Sequence, residues 1–126
     1  MIPLCHAEGL GIIPWSPLAR GVLTRPREKT KGTTVRSDTD VHADRLYAHA
    51  DWEIVDVVEQ IAERRGVSMA QVALAWVLSK PDVTAPIIGA TRIEHLEESL
   101  AALEIKLDAE EVAALEAPYT PKAVTF

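Results

Sequence analysis

Apolar residues fall on two rhythms along this chain. Between Asp51 and Gly66 they recur at three- and four-residue steps, at Ile54, Val55, Val58, Ile61 and Ala62. That spacing predicts an amphipathic helix, capped by Asp51 and stopped by Gly66. Ser68 with Gln71 has the capping-box spacing, and Val67 with Val72 forms a hydrophobic staple. A second helix is therefore expected through Val72, Leu74, Ala75, Trp76 and Leu78 until Pro81 ends it. Thr91 with Glu94 repeats the box ahead of Ile93, Leu96, Leu100 and Leu103. Asp108 with Glu111, flanked by Leu107 and Val112, opens a last short helix before Pro118.

Two stretches break the helical rhythm. Gly9 to Trp15 (GLGIIPW) and Thr84 to Ala90 (TAPIIGA) are short apolar runs, which suit strands buried on both faces. Ile2 to Glu8 reads as the last turns of a helix stopped by Gly9, and residues 24–44 as a long loop rich in Pro, Gly, Thr and charge. Strands alternating with helices imply an α/β fold with parallel pairing through a right-handed crossover. Two parallel strands alone leave both faces and both edges bare. The pattern therefore predicts part of a larger sheet, its other strands lying upstream or in another chain. A small four-helix bundle, with the apolar runs as core linkers, is the alternative packing. No internal repeat is visible.

Composition narrows the partners. With 126 residues the chain is one domain's worth, and 48% hydrophobic with 25% charged residues is ordinary for a soluble globular protein. A formal charge of -6 speaks against nucleic acid or an anionic membrane surface, which demand clustered excess Lys and Arg. The single Cys5 forms no internal disulfide, and no apolar run approaches the ~20 residues of a spanning helix. No basic region follows Met1, so no signal peptide is expected, and the expected setting is reduced and cytoplasmic.

Chemistry concentrates where the two runs end. Turns that leave parallel strands sit at the carboxyl edge of a sheet, where α/β folds place ligands. After the first run, Ser16 brings a hydroxyl and Gly21 allows close backbone approach, so a phosphate fits there. After the second, small Gly89 and Ala90 lead to Thr91, read as a helix cap, and to Arg92. Free N–H groups at a helix start plus a guanidinium make an anion site. Each turn taken singly also reads as a satisfied cap with a solvated arginine. Trp15 reads as core, or as a flat ring presented at the ligand mouth.

Other clusters offer less. Gly9-Leu10-Gly11 precedes a run and lacks a third glycine, so it is not a dinucleotide fingerprint. His6, His42, His49 and His95 have no metal-ligand spacing with Cys5. Glu97, Glu98, Glu110 and Glu111 read as a solvated helix face, and Tyr47 and Tyr119 have no base near them in sequence.

The stretches IIPWSPLARGVLTRP and QVALAWVLSKPDVTAPIIGATRIEHLEESLAAL, with the tail LEAPYTPKAVTF, closely resemble the C-terminal portion of bacterial aldo-keto reductases. The resemblance covers essentially the whole chain. It implies an NADP-dependent (β/α)8 TIM barrel, of which residues 1–126 are the end of the sixth helix, strands seven and eight with their helices, and the C-terminal segment. Position by position, it implies that Trp15 stacks on the nicotinamide and that Ser16, Pro17, Leu18 and Gly21 hold the pyrophosphate. Arg25, Arg27 or Arg36 would close over it. Gly89, Ala90, Thr91 and Arg92 match the turn that takes the adenosine 2′-phosphate. His95, Glu98 and Ser99 fall where many members have Gln, Glu and Asn, so His95 and Ser99 are departures. Pro121-Lys122 departs from a frequent Pro-His. The family reduces aldehydes and ketones with a Tyr proton donor helped by Lys, His and Asp, and no segment here matches the strands that carry them. The resemblance thus implies a cofactor-binding portion that is inactive alone, or else a non-catalytic module joined to a partner chain or to itself through exposed strand edges.

Overall fold

A computed structural model describes residues 1–29 and 52–121. Expectations on Asp51, Arg36, His42, Tyr47, His49, Lys122 and most of the 24–44 loop lie outside the described residues. The helices are α1 (Ile2–Ala7), α2 (Trp52–Arg65), α3 (Met69–Leu78), α4 (Ile93–Ala101) and α5 (Ala109–Glu116). Short 3-10 turns cover Ala19–Thr24, Arg27–Lys29 and Ala102–Glu104.

The expected caps form where side chain and backbone partners are local. Gln71 N–H donates to Ser68 Oγ at 3.2 Å while Ser68 N–H donates to Gln71 Oε1 at 3.0 Å, which starts α3. The same exchange between Asp108 and Glu111, at 2.9 and 3.0 Å, starts α5. Gly66 takes a left-handed φ of 65° after α2, a conformation that glycine adopts without steric cost.

The core lies between α2, α3 and α5. Val55, Val58 and Ile61 of α2 meet Met69 and Val72 of α3 and Leu115 of α5, all buried. Val22 and Leu23, from the 3-10 turn after the first apolar run, pack on the same cluster. The turn is thereby anchored to the helical layer.

Glu111 corrects the solvated-face reading. It is only 5% exposed, and its carboxylate receives Arg65 Nε at 2.6 Å and Arg65 Nη2 at 2.5 Å. Arg65 also reaches the Lys106 carbonyl at 3.1 Å. A side chain so enclosed keeps its charge because both oxygens are satisfied. On the neighbouring edge, Glu116 accepts from Trp76 Nε1 at 3.1 Å and pairs with Lys80, whose ammonium lies 4.5 Å from the centre of the Trp76 ring.

The two apolar runs lie parallel, as expected, but among the described residues neither builds a continuous strand. They meet at two isolated bridges, Ile12 with Val83 and Trp15 with Ile87. Thr84 N–H donates to the Ile12 carbonyl and Ile87 N–H to the Pro14 carbonyl, each at 2.8 Å. Pro14 and Pro86 have no N–H to give, so the ladder cannot run on. The bridged positions are three apart in one run and four apart in the other, so the register slips by one. The Ile12 N–H turns instead to Thr84 Oγ1 at 3.1 Å. Gly11 permits this approach, since a Cβ there would stand 2.9 Å from the same hydroxyl. The regular structure is therefore mostly helical. Ile13 and Ile87 remain 59% and 51% exposed, in keeping with runs left without a covering layer among the described residues.

Candidate functional site

Because Trp15 pairs with Ile87 in parallel, the segments that follow these two residues leave the pair at the same end. The first begins with Ser16, the second with Ile88 and Gly89. The Trp15 ring is 70% exposed beside them and takes no part in the helical core, which decides against its reading as a core residue.

The first turn has an unusual backbone. Ser16, Ala19 and Arg20 have φ of 54°, 49° and 54°, and Gly21 follows at 100°. Left-handed geometry is uncommon for residues with a Cβ, and clusters of it mark sites where the surroundings impose a shape. Ala19 N–H donates to the Ser16 carbonyl and Gly21 N–H to the Leu18 carbonyl, both at 2.9 Å. Leu23 N–H donates to the Leu18 carbonyl at 3.3 Å and Thr24 Oγ1 to the Gly21 carbonyl at 2.8 Å, which winds the segment into a closed coil. Pro17 fixes φ on the way into it.

Arg25 lies against this coil. Its Nε donates to Thr24 Oγ1 at 3.4 Å, and a Cβ on Gly21 would come within 3.1 Å of its Nη2. Arg27 instead lies over the Trp52 ring, 5.5 Å from its centre. Of the loop arginines named from the sequence, Arg25 alone among the described residues is placed against the turn.

The second turn is open. Nothing stands within 4 Å of a Cβ built on Gly89, and Ala90 and Thr91 are exposed. Here the expected cap is corrected. The residue at the helix boundary is Arg92, with φ of -139° and no side-chain cap, and α4 begins at Ile93. Glu94, three residues after Thr91, accordingly falls one place too early to close a box on the actual boundary residue, Arg92. It stands 3.8 Å from Arg92 Nε. Arg92 Nη2 is 3.4 Å from His95 Nε2. Ser99 Oγ donates to the His95 carbonyl at 2.7 Å, so its hydroxyl is engaged by its own helix, and Glu98 is half-buried one turn along.

The structure thus brings Trp15 and Ser16 to the same end of the paired runs as Gly89, and puts Arg92 and His95 in contact at the start of α4. The left-handed backbone at Ser16, Ala19 and Arg20 escaped the sequence reading, because glycine is the usual sequence signal for that geometry.

The profile of the Aldo/keto reductase family matches residues 1–119. Versiconal hemiacetal acetate reductase of Aspergillus parasiticus is 43% identical over 128 residues, covering 98% of this chain and 36% of that protein. Aldo-keto reductase AMT2 of Alternaria alternata is 40% identical over 119 residues, covering 94% of this chain and 32% of that protein. These two relatives are fungal. Among solved structures, the thermostable aldo-keto reductase Tm1743, in complex with the inhibitor epalrestat, superposes with a TM-score of 0.64 at 30% identity. That alignment covers 94% of this chain and 33% of the other. The chain belongs to the aldo/keto reductase family, and it spans about a third of the length of the relatives it matches. No helix among the described residues is long and apolar enough to cross a membrane.

Proposed function

We propose that this chain is the cofactor-holding, C-terminal portion of an NADP-dependent aldo-keto reductase barrel, corresponding to strands seven and eight with their helices. The reading extends over residues 1–126 as one barrel segment and expects a cytoplasmic setting. The complete enzyme would reduce a small aldehyde or ketone to the alcohol. One observation carries the proposal: the parallel pairing of Trp15 with Ile87 sends both candidate turns out at one end.

The residues present suit the cofactor. Trp15 offers an exposed ring to the nicotinamide, and the coil of Ser16, Pro17, Leu18 and Gly21 supports a backbone cradle for the pyrophosphate. Open Gly89, with Ala90 and Thr91, leaves room for the ribose phosphate, which Arg92 would hold by charge. His95, Glu98 and Ser99 lie along the helix that would face the adenosine. When bound, NADPH supplies the hydride, so the protein's part is to bind and orient. Carbonyl reduction also needs an acid within hydrogen-bond reach of the substrate oxygen. No stretch of this chain resembles the family strands that bear it, which supports inactivity of the chain alone.

The exposure of Ile13 and Ile87 favours a second reading, a non-catalytic module that pairs with a partner chain or with itself. The two readings separate in one experiment. Fused behind the first two thirds of versiconal hemiacetal acetate reductase, the chain should support NADPH oxidation by an aldehyde, whereas the 126-residue chain alone should not. A folded fusion without turnover would refute the cofactor-holding reading, and turnover by the pure chain would refute its inactivity.

A further inference from the structure

α4 turns its apolar side away from the rest of the chain. Ile93, Leu96, Leu100 and, just past the helix end, Leu103 follow one another at steps of three, four and three, which lines them along one face. All four are exposed, from 37% at Leu96 to 61% at Ile93. The helix packs on α3, yet its only half-buried residues are Glu98 and Ser99, with buried Ala102 beyond them. Helical spacing puts these three on an adjoining side. The contact with α3 therefore uses polar and small residues, and among the described residues no element covers the apolar stripe. An amphipathic helix ordinarily buries the opposite side, and contiguous exposed apolar surface marks an interaction face.

A second copy of the chain is a poor occupant. α4 carries Glu94, Glu97 and Glu98, with Glu104 following, against Arg92 as the one fixed positive charge at its start. Two such stripes laid together would bring like-charged flanks side by side.

A barrel supplies a better one. In a (β/α)8 barrel each strand is followed by a helix, and the helices form a ring round a closed sheet. Closure sets the helix after the eighth strand against the first strand and the first helix. On the reading of this chain as strands seven and eight with their helices, α4 is that last helix, and α3 is its neighbour on one side. The neighbour on the other side lies in the part of the barrel that the chain, spanning about a third of its relatives, does not include.

Resting on that reading, we infer that the stripe of Ile93, Leu96, Leu100 and Leu103 is the seam at which the barrel closes, and that its occupant is the first strand and helix of an aldo-keto reductase barrel. Glu97 lies four residues from Ile93 and three from Leu100, so it borders the seam and calls for a basic or polar group opposite.

Charging the seam tests this. Leu96→Glu with Leu100→Glu should leave the melting of the isolated 126-residue chain within about 2 °C of wild type, because exposed side chains carry little of its stability. The first two thirds of versiconal hemiacetal acetate reductase, co-expressed as a separate tagged polypeptide, should capture the wild-type chain in a one-to-one complex and bind the variant about a hundredfold more weakly or worse. In the fusion described above, the same pair should lower Tm by about 10 °C or more. Equal losses of Tm in chain and fusion would show that the chain covers the stripe itself, and equal capture of wild type and variant would show that the partner seats elsewhere; either overturns the seam. Self-association that these two substitutions abolish would assign the stripe to a second copy and overturn it too. No capture, with a fusion that does not melt cooperatively, would overturn the seam and the barrel reading together. A fusion that melts cooperatively and responds to the seam, but turns over no NADPH, would support the seam and refute only the cofactor-holding reading.

Discussion

Arg65 grips Glu111 with two nitrogens of its guanidinium, at 2.6 and 2.5 Å, and so ties the C-terminal end of α2 to the first turn of α5. The Glu111 carboxyl is held down at about 2, first by these hydrogen bonds from Arg65, against the opposing effect of burial, and further by the Asp108 N–H and the charges of Arg65 and Arg64. Glu111→Gln keeps the shape and the Asp108 cap but leaves the guanidinium without its counter-charge. A loss of about 2 kcal/mol is expected, at the lower side for a buried pair because Arg65 is partly exposed. Thermal unfolding should show a Tm lower by about 5 to 10 °C.

The same pair sets an acid limit. The folded-state pKa lies below the unfolded one, so the stabilisation is complete above the usual carboxylate range and is lost as pH falls towards about 2. Urea midpoints measured from pH 7 to pH 2.5 should fall more steeply for wild type than for Glu111→Gln. Parallel curves would show that the pair does not report the proton.

Gly11 and Thr84 should behave as one unit. A Cβ at position 11 would meet Thr84 Oγ1 at 2.9 Å, the atom that receives the Ile12 N–H. Gly11→Ala and Thr84→Ala are each expected to destabilise by about 1 kcal/mol. The double variant should cost less than their sum by about 0.5 kcal/mol or more, because removing the hydroxyl also removes the clash. Strict additivity in urea unfolding would break the link.

Ile13 and Ile87, large apolar side chains left exposed on the paired runs, should drive self-association of the isolated chain. Sedimentation should show concentration-dependent oligomers, and Ile13→Thr with Ile87→Thr should shift the distribution towards monomer. A monodisperse wild-type monomer that melts cooperatively would show that these faces need no partner.

In the fusion enzyme, Arg92→Ala should weaken NADPH about ten- to hundredfold and leave NADH nearly unchanged, as a charge-assisted contact to the 2′-phosphate requires. The exposure of Arg92 favours the lower figure. Equal weakening of both cofactors in fluorescence titrations would reduce Arg92 to a solvated surface charge.

Legibility in the sequence followed the distance between partners. The Ser68 and Asp108 caps are visible because donor and acceptor lie three residues apart. The burial of Glu111 is invisible because its partner is 46 positions away. The apolar runs were found in place and in the expected direction, but ladder length depends on which N–H groups face each other across the pair. Pro14 and Pro86 cut that ladder, and a threonine hydroxyl replaced one carbonyl. At the candidate site, Arg92 was legible as a charge beside a helix start. The cap at Thr91 was not, because Glu94 fits a box on paper and an ion pair with Arg92 in space.

The coil after Trp15 leaves a mark that could be read across a lineage. Ser16, Ala19 and Arg20 hold left-handed backbone at a steric cost of roughly 1 to 2 kcal/mol per residue, which glycine would avoid. Relief of that steric cost favours glycine at these places in a chain selected for backbone ease alone. Retention of serine, alanine and arginine would then be a signature of continuing selection on the rigidity of the coil, and glycine substitutions there would date the release of a descendant from that duty.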